Sequence, residues 1–401
     1  MMQRSAAQGK GKAPRRILLV ETTRDGTFGG SFQALYDLAR HIDRDRYTPV
    51  VIFYEHNPFV ERLRERGVSV IVWEAEWYRE HGVRARWFSP RRVLRAGAAV
   101  ARRVALLHRE RIDLVHVNNS PSYGYYDWLP AARLAGIPCV THLRGELYPI
   151  RSPLVRWLNC RFDRFITIST YVTGILERER FPHERIVQVE DGIDHALIRA
   201  SVKRPSCCVR RELSVPEGTL LAVMVGHLRR WKGQDVVLLA LAGLEPAMRR
   251  QILVAFVGAD DPNDSAYRQT LEDLVRVHQL EPSVRFLGSR LDVPDLMNAA
   301  DVVLHASTTP EPFGLVVLEG MAHGRLVIAA ALGGPVQVLG QGGGWLFDPR
   351  DPAELTALLR RAMLRPGDAS ACAATAPLQA QKFTIERTAD RVQAIYGDLL
   401  S

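Results

Sequence analysis

The chain has 401 residues, of which 47% are hydrophobic and 24% are charged, and its formal net charge is +9. This composition is typical of a globular enzyme and excludes a disordered chain, while the length favours two domains over one. The first fourteen residues, MMQRSAAQGKGKAP, are small, polar and basic, and predict a loose tail without the apolar core of a signal peptide. No run of about 18 apolar residues occurs, so we expect no transmembrane helix.

The positive charge is confined to the first half of the chain. Residues 1–199 contain 32 Lys and Arg against 22 Asp and Glu, whereas residues 200–401 contain 21 against 22. This asymmetry predicts an anionic partner for the first half. The cysteines have neither zinc-ligand nor disulfide-framework spacing, which favours a reducing, cytoplasmic location. They are Cys139, Cys160, Cys207, Cys208 and Cys372.

Short β-rich runs alternate with helix-length amphipathic segments in two series. The predicted strands are 16–21, 48–53, 68–73, 113–118, 138–143 and 164–169 in the first series, and 220–226, 252–258, 284–288, 301–306 and 325–330 in the second. This alternation predicts an α/β fold with two doubly wound domains, each with a parallel sheet. The polar residues 201–218 between the two series predict the interdomain connection. The cleft between the domains is the expected ligand site.

Residues 309–324, TPEPFGLVVLEGMAHG, place one glutamate on each side of a predicted helix start. The backbone N–H groups of residues 313–315 lack partners within that helix and lie at its positive end, which suits a phosphate group. Glu319, about one and a half turns further in, is suited to accept hydrogen bonds from two ribose hydroxyls. Glu311, in the preceding loop, could meet the hydroxyls of a sugar attached to the phosphates. A solvated Glu319 and an ordinary loop acid at Glu311 form the alternative.

Two further turns contain glycine at positions that predict anion binding. VGHLRRWKGQD (225–235) follows the first strand of the second series and clusters Arg and Lys, as a diphosphate site requires; a solvated basic loop is the alternative. LGGPVQVL (332–339) precedes a probable helix. The chain has no P-loop, and FGGSFQ is not the dinucleotide fingerprint G-x-G-x-x-G.

These motifs, in this order, resemble the donor half of the family 4 retaining glycosyltransferases of GT-B fold. The resemblance is carried by EPFGLVVLEGMAHG (311–324), VRFLGSRLDVPDLMNAADVVLHAS (284–307) and LVIAAALGGPVQVL (326–339), while DGID (191–194) resembles the hinge segment of the family. It is strong over 215–350 and weaker over 15–200. It implies two Rossmann-like domains that face a central cleft. The domains would be 15–200 on the acceptor side and 219–383 on the donor side, with 384–401 as a helix that crosses back to the first domain.

The resemblance also implies roles for individual residues. Glu319 would bind the ribose, Glu311 the donor sugar and Lys232 the diphosphate leaving group. His142 would hydrogen-bond the donor sugar, with a structural strand-end histidine as the alternative. We therefore expect His142, Lys232 and Glu311 as catalytic residues. The other expected donor-binding residues are Gly29, Gly30, Gly226, His227, Arg230, Leu287, Gly288, Phe313, Gly314 and Leu315.

Two positions depart from the pattern of the family. His227 stands where the family usually has an arginine, and Arg229, Arg230 or a protonated His227 would have to replace that charge. Gln337 stands where the GG turn usually continues to a glutamate. The first departure affects the stabilisation of the leaving group, and the second is milder because the glycine backbone is retained.

The resemblance implies a reaction that retains anomeric configuration by front-face attack, without a protein nucleophile. No Asp-x-Asp metal motif occurs in the segment 215–350 that carries the donor-side resemblance, so we expect a metal-independent reaction with a nucleoside-diphosphate sugar as substrate and no cofactor. His116 and His305 lie within apolar strand patterns and are expected to be structural.

A basic helix is predicted from Ser89 and Pro90, a capping serine followed by proline at the first helical position. One face of this helix is apolar and the opposite face is an arginine ridge. The apolar face contains Val93, Val100, Val104 and Leu107, and the ridge contains Arg91, Arg95, Arg102 and Arg109. The ridge is either a solvated helix face or a contact to an anionic membrane surface. Nucleic acid is disfavoured because no aromatic residues interleave the ridge.

The acceptor is expected to meet loops of the first domain. NNSPSYGYYDW (118–128) suits sugar stacking or simply packing, and Arg144 is a possible acceptor or phosphate contact. The favoured function is a glycosyltransferase of cell-surface polysaccharide or glycolipid assembly, peripheral at the inner membrane face. The alternatives are a non-catalytic partner protein, motivated by His227, and a sugar-nucleotide epimerase.

Overall fold

The computed structural model describes residues 13–22, 30–73, 90–119, 128–145, 153–340 and 342–401, with the backbone alone for residues 90–93 and 154–155. Gly29, most of the 118–128 segment and most of the predicted tail lie outside the described residues. The two parallel sheets described below confirm the predicted α/β fold.

Seven parallel strands form the described part of the first domain's sheet. They are β1 (Arg15–Glu21), β2 (Tyr47–Phe53), β3 (Ser69–Val72), β4 (Leu114–Asn118), β5 (Cys139–Leu143), β6 (Arg164–Thr167) and β7 (Ile186–Gln188). Their order in the sheet is β3-β2-β1-β4-β5-β6-β7. Along β1, Ile17 and Leu19 pack in one apolar cluster and Leu18 and Val20 in another, because successive side chains point to opposite faces of a sheet that is covered on both sides.

In the described residues, six α-helices connect these strands. They are α1 (Gly30–His41), α2 (Pro58–Arg64), α3 (Pro90–Arg109), α4 (Trp128–Leu134), α5 (Pro153–Asn159) and α6 (Thr170–Arg178). Helix α3 follows the predicted amphipathic pattern: Val100 and Val104 are half-buried, Leu107 is fully buried, and Arg102 is exposed. Arg103 differs from its neighbours because it is only 2% exposed and its guanidinium lies 5.0 Å from the Trp128 ring.

The connection between the domains contains two short helices, α7 (His195–Ser201) and α8 (Ser206–Glu212). Helix α8 lies inside the segment predicted as the interdomain connection, and its Val209 is fully buried in an apolar cluster with residues of the second domain such as Leu221 and Val223. Helix α8 and the residue after it therefore pack with the second domain, because Val209 and Leu213 give this otherwise polar segment one apolar side.

The second sheet is also parallel and has six strands in the described chain. They are β8 (Leu220–Val225), β9 (Ile252–Val257), β10 (Val284–Phe286), β11 (Val302–His305), β12 (Leu326–Ala330) and β13 (Trp345–Phe347), in the order β10-β9-β8-β11-β12-β13. Its helices are α9 (Gln234–Ala242), α10 (Pro246–Arg249), α11 (Ser265–Val277), α12 (Val293–Ala299), α13 (Leu315–Ala322), α14 (Gly334–Leu339), α15 (Pro352–Leu364) and α16 (Pro366–Ala380).

The last helix, α17 (Ile385–Leu400), lies on the sheet of the first domain. Its Val392 and Tyr396 are fully buried in the cluster that contains Ile17 and Leu19, and the Tyr396 hydroxyl is 2.6 Å from His116 Nδ1. Amphipathic spacing explains this packing, since one face of α17 covers the sheet while the other is solvated. The C-terminal segment thus joins the first domain after the chain has completed the second.

The strand order reverses between β1 and β4 in the first sheet and between β8 and β11 in the second. In open parallel sheets, ligands bind beyond the carboxyl ends of the strands at such a reversal. The two carboxyl edges, and the loops that follow them, therefore define the region to be searched for a site. None of the described helices has the length and apolar character needed to span a membrane.

Candidate active site

The carboxyl edge of the second sheet carries a cluster of charged and polar side chains around Glu311. Lys232 Nζ lies 2.5 Å from Glu311 Oε1, the Ser307 hydroxyl donates to the same oxygen at 2.6 Å, and His305 Nε2 is 3.1 Å away. All three contacts converge on Oε1, and no hydrogen bond from a described residue reaches Oε2. Glu311 therefore has one oxygen held by the protein and one available to a ligand.

Electrostatics keep Glu311 ionised. Burial alone would raise the pKa of its carboxyl, but the nearby His305 and Lys232 outweigh burial and hold that pKa well below its usual value. The structural role that the sequence indicated for His305 stays a prediction, and the structure adds that its ring contacts Glu311. The available signal was its position: His305 is the last residue of β11, where a side chain reaches the edge of the sheet.

The loop that carries Glu311 is fixed by the GG turn. The amide of Gly334 donates to the Glu311 carbonyl at 2.7 Å, and a Cβ on Gly333 would lie 2.3 Å from that same oxygen. Gly333 also has φ +69°, a conformation that side-chain-bearing residues rarely adopt. The glycines of this turn thus allow two backbones to approach each other, and the Gly334 amide is already used inside the protein.

Helix α13 begins beside this loop, as the sequence predicted, with Gly314 as its N-cap at φ +96°. The N-cap has no side-chain hydrogen bond, and among the described residues the amides of Phe313, Gly314 and Leu315 have no acceptor. Phe313 itself is 2% exposed and packs edge-on against Phe383. The positive end of α13 therefore presents unpaired donors that suit an anion.

Glu319 lies further along α13 and faces the first domain. It is half-buried, and no described residue forms a hydrogen bond or ion pair with its carboxylate. Burial and then the nearby Asp37 of α1 raise the pKa of Glu319 to about 7. A ligand that donates hydroxyl hydrogen bonds here would favour the ionised form, which matches the ribose role predicted for this residue.

The basic turn after β8 divides into two parts. Lys232 points toward Glu311, and its side chain passes close to Gly226, where a Cβ would be 3.6 Å from the lysine Cε. Arg229 and Arg230 instead pair with acids of the following turn. Arg229 Nε lies 3.2 Å from Asp261, and Arg230 Nε lies 2.7 Å from Asp264. Both arginines are therefore paired with aspartates in this structure, and their predicted role in replacing the charge at position 227 stays a prediction.

The remaining predicted donor-side residues are divided between the two domains. Leu287 and Gly288 directly follow β10, and the Gly288 carbonyl accepts from the Gly258 amide at 2.8 Å. Gly30 begins α1 in the first domain, where a Cβ would lie 3.4 Å from the Leu315 side chain of the second domain. Gly29 lies outside the described residues.

His142 is the penultimate residue of β5 in the first domain and is fully buried. Its Nδ1 is 3.4 Å from Arg144 Nη2, and its Nε2 has no hydrogen-bond partner among the described residues. Burial, then the charges of Arg144 and His116, hold the pKa of His142 well below its usual value, so the ring is neutral. A neutral imidazole can hydrogen-bond a sugar hydroxyl, but in this arrangement the ring is covered.

Arg144 is tied into the first domain. The residue is 9% exposed, and its guanidinium donates to Asp191 of the hinge segment and, through Nε, to Asn118 Oδ1 at 2.6 Å. Arg144 therefore forms a buried ion pair in this structure, and its role as an acceptor or phosphate contact stays a prediction. Within the described residues, no group of three or more His, Cys, Asp or Glu has the arrangement of a metal site.

Comparison with known proteins gives matches over both domains. Residues 28–197 match the family model described as Glycosyltransferase Family 4, and residues 209–379 match Glycosyl transferases group 1. The D-inositol 3-phosphate glycosyltransferase of Salinispora arenicola is 30% identical over 329 residues, which cover 76% of this chain and 72% of that protein. The protein of the same name from Thermobispora bispora is 29% identical and covers 76% and 74%.

The structural similarity extends over nearly the whole chain. The crystal structure of Anabaena HepE in complex with UDP superimposes with a TM-score of 0.80 at 26% identity, and it covers 96% of this chain and 100% of HepE. The family predicted from the sequence is confirmed by these matches, in which a family 4 segment precedes a group 1 segment. The chain belongs to the family 4, or group 1, glycosyltransferases of GT-B fold.

Proposed function

We propose that this glycosyltransferase transfers a sugar, with retention of configuration and without a metal ion, from a nucleoside-diphosphate sugar to a glycan or lipid-linked acceptor in cell-surface polysaccharide or glycolipid assembly. The single observation that carries the donor part is the Lys232–Glu311 pair beside the unpaired amides of α13. A cation and a helix N-terminus together suit a diphosphate, and a carboxylate with a free oxygen suits a sugar.

The leaving group develops negative charge as the glycosyl–phosphate bond breaks. Lys232 is 17% exposed in its side chain and 2.5 Å from Glu311, so it can contact a diphosphate in the cleft while it remains near the carboxylate. The amides of residues 313–315 add donors that need no reorganisation when the charge appears. These groups stabilise the leaving nucleotide without a metal ion in the mechanism we propose.

The sugar and the ribose meet the two glutamates. Glu311 Oε2 accepts a hydrogen bond from a hydroxyl of the donor sugar, and the Glu319 carboxylate accepts hydrogen bonds from the ribose hydroxyls. Because three protein groups hold Glu311 Oε1, and two of them, His305 and Lys232, lower the pKa of its carboxyl, Glu311 is a weak nucleophile and serves to orient the sugar. This supports front-face attack by the acceptor hydroxyl, which retains the configuration. The HepE structures with UDP and with UDP-glucose favour a uridine nucleotide as the first donor to test.

Two acceptor classes remain to be separated by experiment. The basic excess of residues 1–199 supports an anionic, membrane-linked acceptor. The names of the relatives from Salinispora and Thermobispora support a phosphorylated cyclitol, D-inositol 3-phosphate, as the second candidate. Both acceptors are anionic, so charge alone does not choose between them.

Helix α3 supports the membrane-linked candidate. Residues 94–98 are exposed all round, Leu94 is 73% exposed, and Arg95 and Arg102 are exposed as well. Helices of parallel βαβ units run opposite to the strands, so the N-terminal half of α3 lies at the carboxyl edge of the sheet, the same edge as the cleft. We propose that this half of α3 contacts an anionic bilayer, where each basic residue contributes about 1 kcal/mol.

Vesicle sedimentation tests the membrane contact. Wild type should bind vesicles that contain phosphatidylglycerol and not pure phosphatidylcholine, and R95E/R102E should reduce that binding at least about tenfold. R276E reverses the charge of an exposed arginine in the second domain and should not change vesicle binding. Equal binding by R95E/R102E and R276E would remove the membrane surface from the proposal.

Thermal stabilisation by UDP, followed by radiolabelled transfer from UDP-glucose, tests the central proposal. Nucleotide binding with transfer to an extracted lipid or glycan, but not to D-inositol 3-phosphate, supports the first acceptor class; the reverse supports the second. Binding with neither transfer nor donor hydrolysis would favour a non-catalytic partner protein. A sugar epimerised while still attached to its nucleotide, with no acceptor present, would favour the epimerase.

A further inference from the structure

The N-terminus of α6 in the first domain contacts a loop and a helix of the second domain. Ser169 is the N-cap of α6: its hydroxyl accepts from the Val172 amide at 3.2 Å and donates to the Pro312 carbonyl at 2.5 Å. The next residue, Thr170, donates to Gln337 Oε1 from its backbone amide at 2.8 Å and from its hydroxyl at 2.9 Å. The two domains are therefore joined by three hydrogen bonds within two consecutive residues.

These contacts satisfy groups that a helix alone leaves unpaired. The first amides of a helix have no acceptor within it, and here the Thr170 amide finds one on the other domain. Since that amide can only donate, Gln337 must face it with Oε1, which turns its Nε2 toward Glu190 Oε1 at 3.5 Å. Glu190 directly precedes the hinge segment and pairs with Arg391 of α17 at 2.7 Å. Gln337 thus meets a donor on one side and an acceptor on the other.

The contacts of Ser169 and Thr170 both lead to the loop that carries the Glu311 carboxylate. Pro312 is the residue after Glu311, so the Ser169 hydroxyl bonds directly to the backbone that enters α13. Gln337 lies on α14, which begins at Gly334, and the Gly334 amide donates to the Glu311 carbonyl. Ser169 and Thr170 therefore hold this loop from two directions.

We propose that Ser169, Thr170 and Gln337 are positioning residues that fix the angle between the domains and hold the 311–315 loop in the geometry that binds the donor. The proposal rests on the function proposed above, because its effect is expressed in donor binding. It also gives a reason for glutamine at position 337, where the family usually has glutamate. A carboxylate there would lack the N–H that faces Glu190 and would place two like charges together.

The variant Q337A tests the proposal, with V336A as its matched control. Val336 is the preceding residue on α14 and is 42% exposed. With UDP-glucose as the probe, Q337A should raise the donor KM about tenfold, the effect of two lost hydrogen bonds, and change kcat much less. V336A should leave both constants unchanged. Q337E should also weaken donor binding, and the additional change E190Q should restore most of the loss.

Hydrogen exchange on the ligand-free protein provides a second readout that does not need a donor. Exchange of the Thr170 amide should be faster by about tenfold in Q337A and unaltered in V336A. If the wild-type protein binds no UDP, the proposed function fails. The hydrogen-exchange measurement still tests whether Gln337 bonds to the Thr170 amide. Equal exchange in the two variants would overturn the inference, as would a lowered melting temperature in Q337A with an unaltered donor KM, since that would make the contact structural only.

Discussion

The carboxyl edges of the two sheets carry similar polar residues, but among the described residues one polar group has its hydrogen bonds completed and the other does not. In the second domain Glu311 keeps one oxygen without a protein donor, and the first amides of α13 have no acceptor within the described residues. In the first domain Asn118 donates to Glu21 at 2.6 Å and accepts from Arg144 at 2.6 Å, and all three are buried. Polar residues at a strand end therefore indicate a binding site only when their hydrogen bonds remain incomplete.

The largest effect is expected at the buried ion pair of the first domain. R144M leaves Asp191 buried without its partner and should lower the free energy of unfolding by about 3–5 kcal/mol. Burial raises the pKa of Asp191 while Arg144 lowers it, so without Arg144 the carboxyl takes up a proton more readily and the loss should be smaller at pH 5 than at pH 8. Urea denaturation at both pH values measures this.

An exposed pair provides the control for R144M. Arg15 and Asp113 are 2.9 Å apart with side chains 42% and 27% exposed, so R15M should cost less than about 1 kcal/mol. UDP affinity per folded molecule should be unaltered in both variants, because neither residue lies at the donor edge. If R144M were as mild as R15M, the first edge would not be the satisfied structural network described here.

A slightly smaller effect, on rate instead of stability, is expected at Lys232. K232A removes the cation at the leaving group and should lower kcat with UDP-glucose by about 100- to 1,000-fold, or about 3–4 kcal/mol. The sequence also predicted a donor contact for Arg230, which the structure pairs with Asp264 instead. Parallel kinetics of R230A therefore separate the two predictions: the structure predicts a loss of less than about threefold. A comparable loss in R230A and K232A would favour the sequence prediction.

The sequence predicted the fold and the family because these rest on local patterns, whereas the roles of the donor-side residues stay a prediction. Strand and helix periods are visible in short windows, and the segment from Glu311 to Glu319 is one loop and one helix. The partners of individual side chains were not predictable in the same way. Arg144 and Asp191 are 47 positions apart, and Thr170 and Gln337 are 167 apart. His305 has an apolar strand pattern around it, and only the end of β11 distinguishes it from a core residue.

A third prediction concerns the pH dependence of stability at Glu319. A carboxyl whose folded pKa of about 7 exceeds its ordinary value of 4.5 stabilises the folded state only in its protonated form, so stability falls as pH rises from about 4.5 to 7. E319Q removes this loss and should be about 2–3 kcal/mol more stable than wild type at pH 8, with little difference at pH 4.5. Denaturant unfolding across this range measures the gain.

E319Q should also bind the nucleotide more weakly than wild type. This loss distinguishes a carboxyl that binds the ligand from a buried carboxyl without a role in binding. Ribose hydroxyls favour the ionised carboxylate, so UDP binding to wild type should release a proton below pH 7 and tighten as pH rises to about 7. Calorimetry in buffers of different ionisation enthalpy detects that proton. A more stable E319Q that binds UDP as wild type does would leave the raised pKa unconnected with the donor site.

The smallest effect is expected at Ser307, which is 1% exposed and donates to Glu311 Oε1 at 2.6 Å. S307A removes one of three groups on that oxygen and should lower kcat/KM for UDP-glucose about fivefold, or about 1 kcal/mol. The double variant S307A/H305A should lose less kcat/KM than the two single variants together predict, because Lys232 still neutralises the Glu311 carboxylate. T308A changes the exposed neighbouring residue and should have no effect. If S307A behaves like T308A, Lys232 alone orients Glu311, and the donor edge then depends on one ion pair rather than on a cluster.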